Sequence, residues 1–538
     1  MRDGSLSTTR RGLLRGAGGL ALMASLGPEA AWAATEQTLK IIHGRLDTDW
    51  SPLRGGGSYS VWNSLWSAAP MYFDPQANVH PYVFANWTSN DDKTVWTFQI
   101  DPNAVFSDGS QITADDVKGS FELAAHPATK HQRIDQVFGG VVGFNEVLTG
   151  QTTAMSGLKA LDGAVEITLA APNPIFHLHI ANHLVPIVKI DLARDSDGAE
   201  VFEWWHPDNG VVVAGPYIPI EMDLDSGVVV LDRNSRFFKG SPKLERIEIT
   251  TVTDPVVATL MLQQKKAHAH TWLLTQSVVK DLGKAFVEGP LIPRGHHFWF
   301  DMSRKPMDDV NVRKALILAI DRDELLRVSF PDGPHPKADQ ILDAVPGADG
   351  FASAYPYDPE GARAALAASS YGGPEKLPRL MMVGISNPAN ELAAQYIAEQ
   401  WRQVLGVQAV EIKPQMDAYS GPDQNQVQIF RDDVGTRIPD AVAYLRGAIH
   451  SSSGNAKTKL GGFADPEIDR LLDEAAMLDL EDARRIGNAL EAQRRFMDLY
   501  AFLPWYHEVN SRFTLPGVAN MEKNLDWQIP EPWAISIG

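Results

Sequence analysis

Apolar residues recur along this chain at two spacings, and each spacing predicts a different element. Trp96, Phe98 and Ile100 alternate with polar neighbours, the period of a half-buried strand. Leu39-Lys40-Ile41-Ile42 and Ile247-Glu248-Ile249 are further strand candidates, and the unbroken run Leu380 to Val383 predicts a strand covered on both faces. Val312, Ala315, Leu316, Ala319 and Ile320 fall at helical spacing, as do Ile468, Leu471, Leu472 and Ala475. Residues 391–405 predict one amphipathic helix ended by Gly406, with a return strand at 407–412 that completes a β-α-β unit. A last long helix carries Ile486, Leu490, Met497 and Tyr500, with Pro504 as its stop. The punctuation agrees with the periods. Asp108-Gly109 is a turn pair. Thr113, ahead of Asp115 and Asp116, and Asp321, ahead of Glu324, are N-caps, and Asp465-Pro466 opens a helix with a cap and an N1 proline. Strands interleaved with helices over 538 residues predict an α/β protein of more than one domain.

The first residues change the picture of where the chain works. Thr8-Thr9-Arg10-Arg11-Gly12-Leu13-Leu14 is a twin-arginine motif, an apolar run follows from Gly16 to Leu26, and Ala31-Trp32-Ala33 resembles a cleavage site. That run of about 11 residues is too short to span a bilayer, which needs about 20. Residues 1–33 therefore read as a signal peptide handled by the Tat export machinery and removed, leaving a periplasmic protein. The chain has no cysteine, which excludes a lipoprotein anchor, disulfides, thiolate metal sites and cysteine nucleophiles. After cleavage 44 basic side chains face 65 acidic ones, a net charge of −21 against −19 for the whole chain. Such a surface disfavours nucleic acid and anionic membrane as partners.

Three blocks carry a family resemblance. The first runs from Pro81 through Trp87, Ser89, Asp91, Thr94, Trp96 and Phe98 to Phe106-Ser107-Asp108-Gly109, Ile112-Thr113-Ala114-Asp115-Asp116-Val117 and Ser120-Phe121. The second is Val213-Ala214-Gly215-Pro216-Tyr217, then Arg233-Asn234, Phe237-Phe238-Lys239-Gly240 and Pro242, with Asp254 after the strand. The third is Arg304, Pro306, Asp308, Asp309, Val312, Arg313, Ala315 and Ala319-Ile320-Asp321-Arg322. Together they resemble the family 5 solute-binding proteins of ABC importers, the peptide, nickel and oligosaccharide binders. The resemblance implies a two-lobed periplasmic-binding-protein fold of type II, of the large family 5 (cluster C) kind, with an extra subdomain in the first lobe. It places lobe I at 34–294, lobe II at 295–503 and a carboxy-terminal return to lobe I at 504–538. It also implies a monomer without a cofactor, whose partners are a small-molecule ligand held by hinge closure and an ABC transporter permease in the inner membrane.

Candidate ligand residues follow from the same reading. Asp47, Asp49 and Trp50 sit where the first strand leads into the cleft of relatives. Trp62 and Trp66 lie one helical turn apart, either as core aromatics or as a stacking platform for a sugar-like ligand, and Trp401 is a third aromatic candidate. In peptide-binding relatives a W-x-x-D-Y-x-(D/E)-P stretch supplies an Asp for the peptide amine. Here the matching stretch is Val434-Gly435-Thr436-Arg437-Ile438-Pro439-Asp440, with Arg437 at the Asp position. A guanidinium there repels an α-amine and favours a carboxylate, phosphate or polyhydroxyl, unless Asp432 or Asp433 simply pairs with it. The ligand is thus expected to be a peptide or a polar, anionic or saccharide-like compound. His268 with His270, and His296-His297, leave a nickel or metal-chelate binder of the same family as the alternative, although no third ligand makes a metal site. A secreted hydrolase is the competing class. The chain has no G-x-S-x-G, no H-E-x-x-H and no P-loop, so no catalytic residue is assigned.

Overall fold

The computed structural model describes residues 37–538 apart from 46–48, 55–59, 182, 271–285, 288–290, 332, 334, 343–344, 346–347, 349–354, 386, 416–420, 422–424, 510–511 and 525–527. The twin-arginine segment and Asp47 lie outside the described residues.

Two separate hydrophobic cores define two lobes. The first lobe is built on a seven-stranded sheet in the order Phe286–Val287, Arg512–Thr514, Ala269–His270, Thr38–His43, Arg246–Thr251, Val228–Arg233 and Tyr217–Asp223. Thr38–His43 runs parallel to both of its neighbours. The extra subdomain is a four-stranded antiparallel sheet, Phe84–Ser89, Val95–Ile100, Ala164–Thr168 and Leu158–Leu161. In Val95–Ile100 the alternation holds: Trp96, Phe98 and Ile100 are buried, and Gln99 is exposed. The following helix, Ala114–Ala125, starts with a reciprocal capping box, in which the Asp116 amide donates to Thr113 Oγ1 (3.1 Å) and the Thr113 amide to Asp116 Oδ2 (3.0 Å). Both sheets share one core, which includes Trp62, Trp66, Phe84, Phe98 and Trp205.

The second lobe carries a five-stranded sheet in the order Val410–Pro414, Leu380–Ile385, Ile429–Gly435, Leu291–Phe300 and Phe502–Val509. Leu380–Ile385 is parallel to both neighbours, as the β-α-β reading requires. The helix between its strands is shorter than its periodicity predicts. Pro388–Gln400 is α-helical and Trp401–Leu405 widens into a π turn, closed by Gly406 at φ 76°. The return strand starts at Val410, later than expected.

Sheet pairing also moves the lobe boundaries. The chain leaves the first sheet after Val287 and joins the second at Leu291; it stays there through Val509 and re-enters the first at Arg512. The edges expected at 294/295 and 503/504 therefore fall inside two strands. The physical reason is that Leu503 and Trp505 point into the second core. Pro504 does not stop the last helix, Ala483–Met497, which has already ended. It lies on the edge strand of the sheet, where the missing N–H costs nothing. Among the described residues no helix is long and apolar enough to cross a membrane.

Candidate ligand cleft between the lobes

A cavity of about 860 Å³ lies between the lobes. The first lobe contributes Arg133 and Gln136 at the helix Ile134–Phe138, the stretch Leu169–Asn173, and His179. The second contributes Arg294 and Asp433 from adjacent strands, the strand end Val434–Gly435 and the loop 436–438 after it, and Ala443, Asn455 and Lys459. The lobes touch around it. Ile438 and Ala443 pack against the first core, and Lys93 Nζ stands 3.7 Å from Asp479 Oδ1. No Trp, Tyr or Phe is among the described residues that line the cavity.

The wall is cationic in a chain of net charge −19. Arg133, Arg294, Arg437, Arg446, Lys459 and Arg485 line it, with Asp433 as the lining carboxylate. Antiparallel pairing sets Arg294 opposite Gly435, which brings its Nη1 to 2.7 Å from Asp433 Oδ2. Burial opposes ionisation of Asp433, but Arg294, with His296, Arg431 and Lys459, outweighs it and holds the carboxyl below its ordinary value. Asp432 pairs with Lys459, and Arg446 with Asp473.

Arg437 is held by the loop that carries it. Thr436 Oγ1 accepts the Ile438 amide at 3.0 Å, and Asp440 caps the helix Ala441–Ile449 by accepting the Ala443 amide at 2.7 Å. Asp440 in turn grips Arg485 through two bonds of 2.8 Å, and Arg485 Nη1 also donates to the carbonyls of Ala475 and Leu478 at 2.8 Å each. Burial pushes the ionisation of Arg437 well below that of an ordinary guanidinium, and the nearby charges of Arg133 and Arg294 push it the same way. His131, beside this group, is driven down to about 4 by burial, with Arg133 and Arg437 adding to the effect. The site is a partly buried patch of positive charge built from residues of both lobes.

Of the sequence candidates, Arg437 and Asp433 line the cavity and Asp432 borders it through Lys459. None of the other described candidates lines it. Asp49 pairs with Arg54, which also binds Glu200 and the Thr129 carbonyl. Trp50, Trp62 and Trp66 are core residues of the first lobe, and Trp62 meets His43 edge-on at 5.2 Å. Trp401 is fully buried in the second core and donates its indole N–H to the Leu316 carbonyl at 2.8 Å. The stacking-platform expectation is thus corrected: each ring's large apolar area is satisfied inside a lobe. Among the described residues no group of three or more His, Cys, Asp or Glu is placed to hold a metal ion. His268 instead accepts the Lys40 amide at 2.9 Å. Sequence reasoning missed Arg133, Arg294, Arg446, Lys459 and Arg485, because single basic residues carry no spacing signal. Their role arises only when two lobes bring them together.

The profile of the bacterial extracellular solute-binding proteins, family 5 (middle region), matches residues 78–456. The chain belongs to this family. The periplasmic oligopeptide-binding protein OppA of Salmonella typhimurium is 23% identical over 464 residues, which span 83% of this chain and 82% of that protein. Among solved structures, the unliganded open form of the murein tripeptide-binding protein MppA superposes with a TM-score of 0.76 at 20% identity, over 94% of this chain and 98% of MppA. AgaA of A. tumefaciens R10, solved in complex with agropinic acid, has a TM-score of 0.71 at 17% identity, over 93% of this chain and 99% of AgaA. A family 5 member is an extracellular solute-binding protein. The cleft between its two lobes is the place where the geometry can enclose a solute.

Proposed function

We propose that this chain is exported by the Tat machinery, loses residues 1–33 and works in the periplasm as a monomer. It captures a small polar solute of the peptide or carboxylate-bearing kind between its lobes by hinge closure and passes it, unchanged, to the permease of an ABC importer. The observation that carries this reading is the inter-lobe cavity of about 860 Å³, with Arg133 on one wall and Arg294 and Arg437 on the other. Guanidiniums in a desolvated site recognise carboxylates with two parallel hydrogen bonds. No Trp, Tyr or Phe among the described lining residues offers a stacking face for a saccharide. Relatives fit the same class: OppA is named for oligopeptides, MppA for a murein tripeptide, and AgaA holds an acid.

The test is calorimetric titration of the purified protein with short free-acid peptides and opine-type acids, on wild type and Arg437→Ala. Saturable binding without turnover, weakened at least tenfold in the variant, is expected. Unchanged affinity in Arg437→Ala removes that residue from the site. Turnover that one cleft substitution abolishes would replace the binding reading with an enzymatic one.

A further inference from the structure

The strand Leu291–Phe300 is irregular where it crosses between the lobes. Its pairing with Phe502–Val509 sets Leu291 against Val509 and then Gly295 against His507, so three residues, Ile292 to Arg294, face one, Glu508. A bulge of this kind bends a strand and re-aims the side chain it carries. The residue at its end is Arg294, which lines the cavity. Its guanidinium stands between two acids, with Nη1 2.7 Å from Asp433 Oδ2 and Nε 3.7 Å from Glu508 Oε2. What holds the bulge is a side chain from outside the sheet. On the other flank of the strand Arg294 pairs with Gly435, and Gly295 with Val434. The Gly295 amide donates to the Tyr444 hydroxyl at 2.8 Å, and that hydroxyl donates to the Val434 carbonyl at 2.9 Å. One phenol, acting as acceptor and donor, thus bridges the two paired residues. Tyr444 comes from the helix Ala441–Ile449, is fully buried in the second core and is not among the residues that line the cavity. Beside the bridge the strands leave no room: a Cβ at Gly435 would stand 2.9 Å from the Pro293 carbonyl oxygen and 3.1 Å from Arg294 Cβ. The Thr436 amide donates to that same carbonyl at 3.0 Å, so a second lining residue is fixed there.

We propose that Tyr444 is a positioning residue for solute recognition: without touching the solute, its hydroxyl locks the bulge that presents the Arg294 guanidinium to the cleft. This rests on the solute-binding reading above and adds to that site a specificity-determining residue outside its wall. The reason lies in the fork. A guanidinium grips a carboxylate through two parallel hydrogen bonds in one plane, so a shift of the backbone beneath it breaks the match. An ammonium on a flexible stem is a point charge and is far less sensitive to such a shift.

A double-mutant cycle on the full mature chain tests it. The probe is whichever of Ala-Glu-Ala, other short free-acid peptides and opine-type acids binds wild type most tightly in calorimetry. Tyr444→Phe removes one oxygen and should weaken binding at least tenfold. Arg294→Lys, which keeps a charge beside Asp433 but loses the fork, should weaken it by a similar factor. In the double variant the loss beyond Arg294→Lys alone should stay within about threefold, because no fork is left to aim. Gly435→Ala crowds the bulge and keeps the hydroxyl; it should couple to Arg294→Lys in the same way, and it carries the test if Tyr444→Phe does not fold. A crystal structure of unliganded Tyr444→Phe should show Arg294 displaced from its bond with Asp433. Losses from Tyr444→Phe and Arg294→Lys that simply multiply would assign Tyr444 to the fold alone and overturn the proposal. So would unchanged affinity in Tyr444→Phe, or an Arg294 that keeps its place in that crystal structure. Each of these outcomes leaves solute binding intact. Failure of wild type to bind any of the acids overturns both readings.

Discussion

Replacing Arg485 with Met strands the carboxylate of Asp440 inside the second lobe. Arg485 is 3% exposed and Asp440 5%. The guanidinium makes two bonds of 2.8 Å to the carboxylate and two more to the carbonyls of Ala475 and Leu478, at the end of the helix Pro466–Ala476. Removing one partner of a buried pair costs about 3–5 kcal/mol, because the other charge stays buried without compensation. For a lobe of this size each kcal/mol moves the midpoint by about 2–4 °C, so a fall of about 6–20 °C is expected. Circular dichroism melts and urea titrations at pH 7 measure it. Adding Asp440→Asn to Arg485→Met should recover much of the loss, since no charge is then stranded. Asp440 also caps the helix that follows Arg437, so solute affinity in Arg485→Met should weaken even well below its midpoint. A shift under about 1 kcal/mol, the range of exposed ion pairs, would refute the reasoning.

Trp401→Phe should lose about 1–2 kcal/mol with the indole bond to Leu316, yet leave solute affinity unchanged; a changed affinity in calorimetry would return Trp401 to the cleft. At Gly215 an added Cβ would stand 2.3 Å from the Trp66 carbonyl carbon and 2.5 Å from the Ser67 nitrogen, both backbone. Gly215→Ala should therefore destabilise the first lobe by about 1–3 kcal/mol in urea titrations, and a neutral result would contradict that packing. Burial pushes His183 down to about 3, so the native ring stays neutral while the unfolded one takes a proton near the ordinary value of about 6.5. The stability it contributes is complete above that value and lost as the pH falls toward 3, by at most about 1.4 kcal/mol per pH unit. In His183→Phe the slope of stability against pH between 6 and 4 should be shallower by up to that amount, and an unchanged slope would show that the ring is not buried neutral.

Local signals in the chain proved reliable where the physics is local. Thr113, Asp321 and Asp465 each cap the helix their position predicts, and the alternation of Trp96, Phe98 and Ile100 maps onto one buried face. Arg437 was legible for a different reason: it departs from a family pattern at a position that meets the cleft. The tryptophans show where such reading stops. A ring one helical turn from another is equally suited to a core or a platform, and only the packing of the whole lobe put Trp62 and Trp66 inside. Arg133 lies 304 positions from Arg437, so nothing near it in sequence announces that they share a cavity. The same holds for the crossovers, whose ends depend on which sheet a strand joins and on which core receives Trp505.

The central claim, a solute enclosed between the lobes against a cationic wall, is tested most directly by what the protein carries out of the cell. The chain, exported in its own host and purified without denaturation, is heated, and the released small molecules are weighed by mass spectrometry beside those from an Arg133→Gln/Arg437→Gln double variant. A near-stoichiometric, carboxylate-bearing solute from wild type and its loss from the variant is the expected result. Equal release from both, or a released solute without an acid group, would contradict the account.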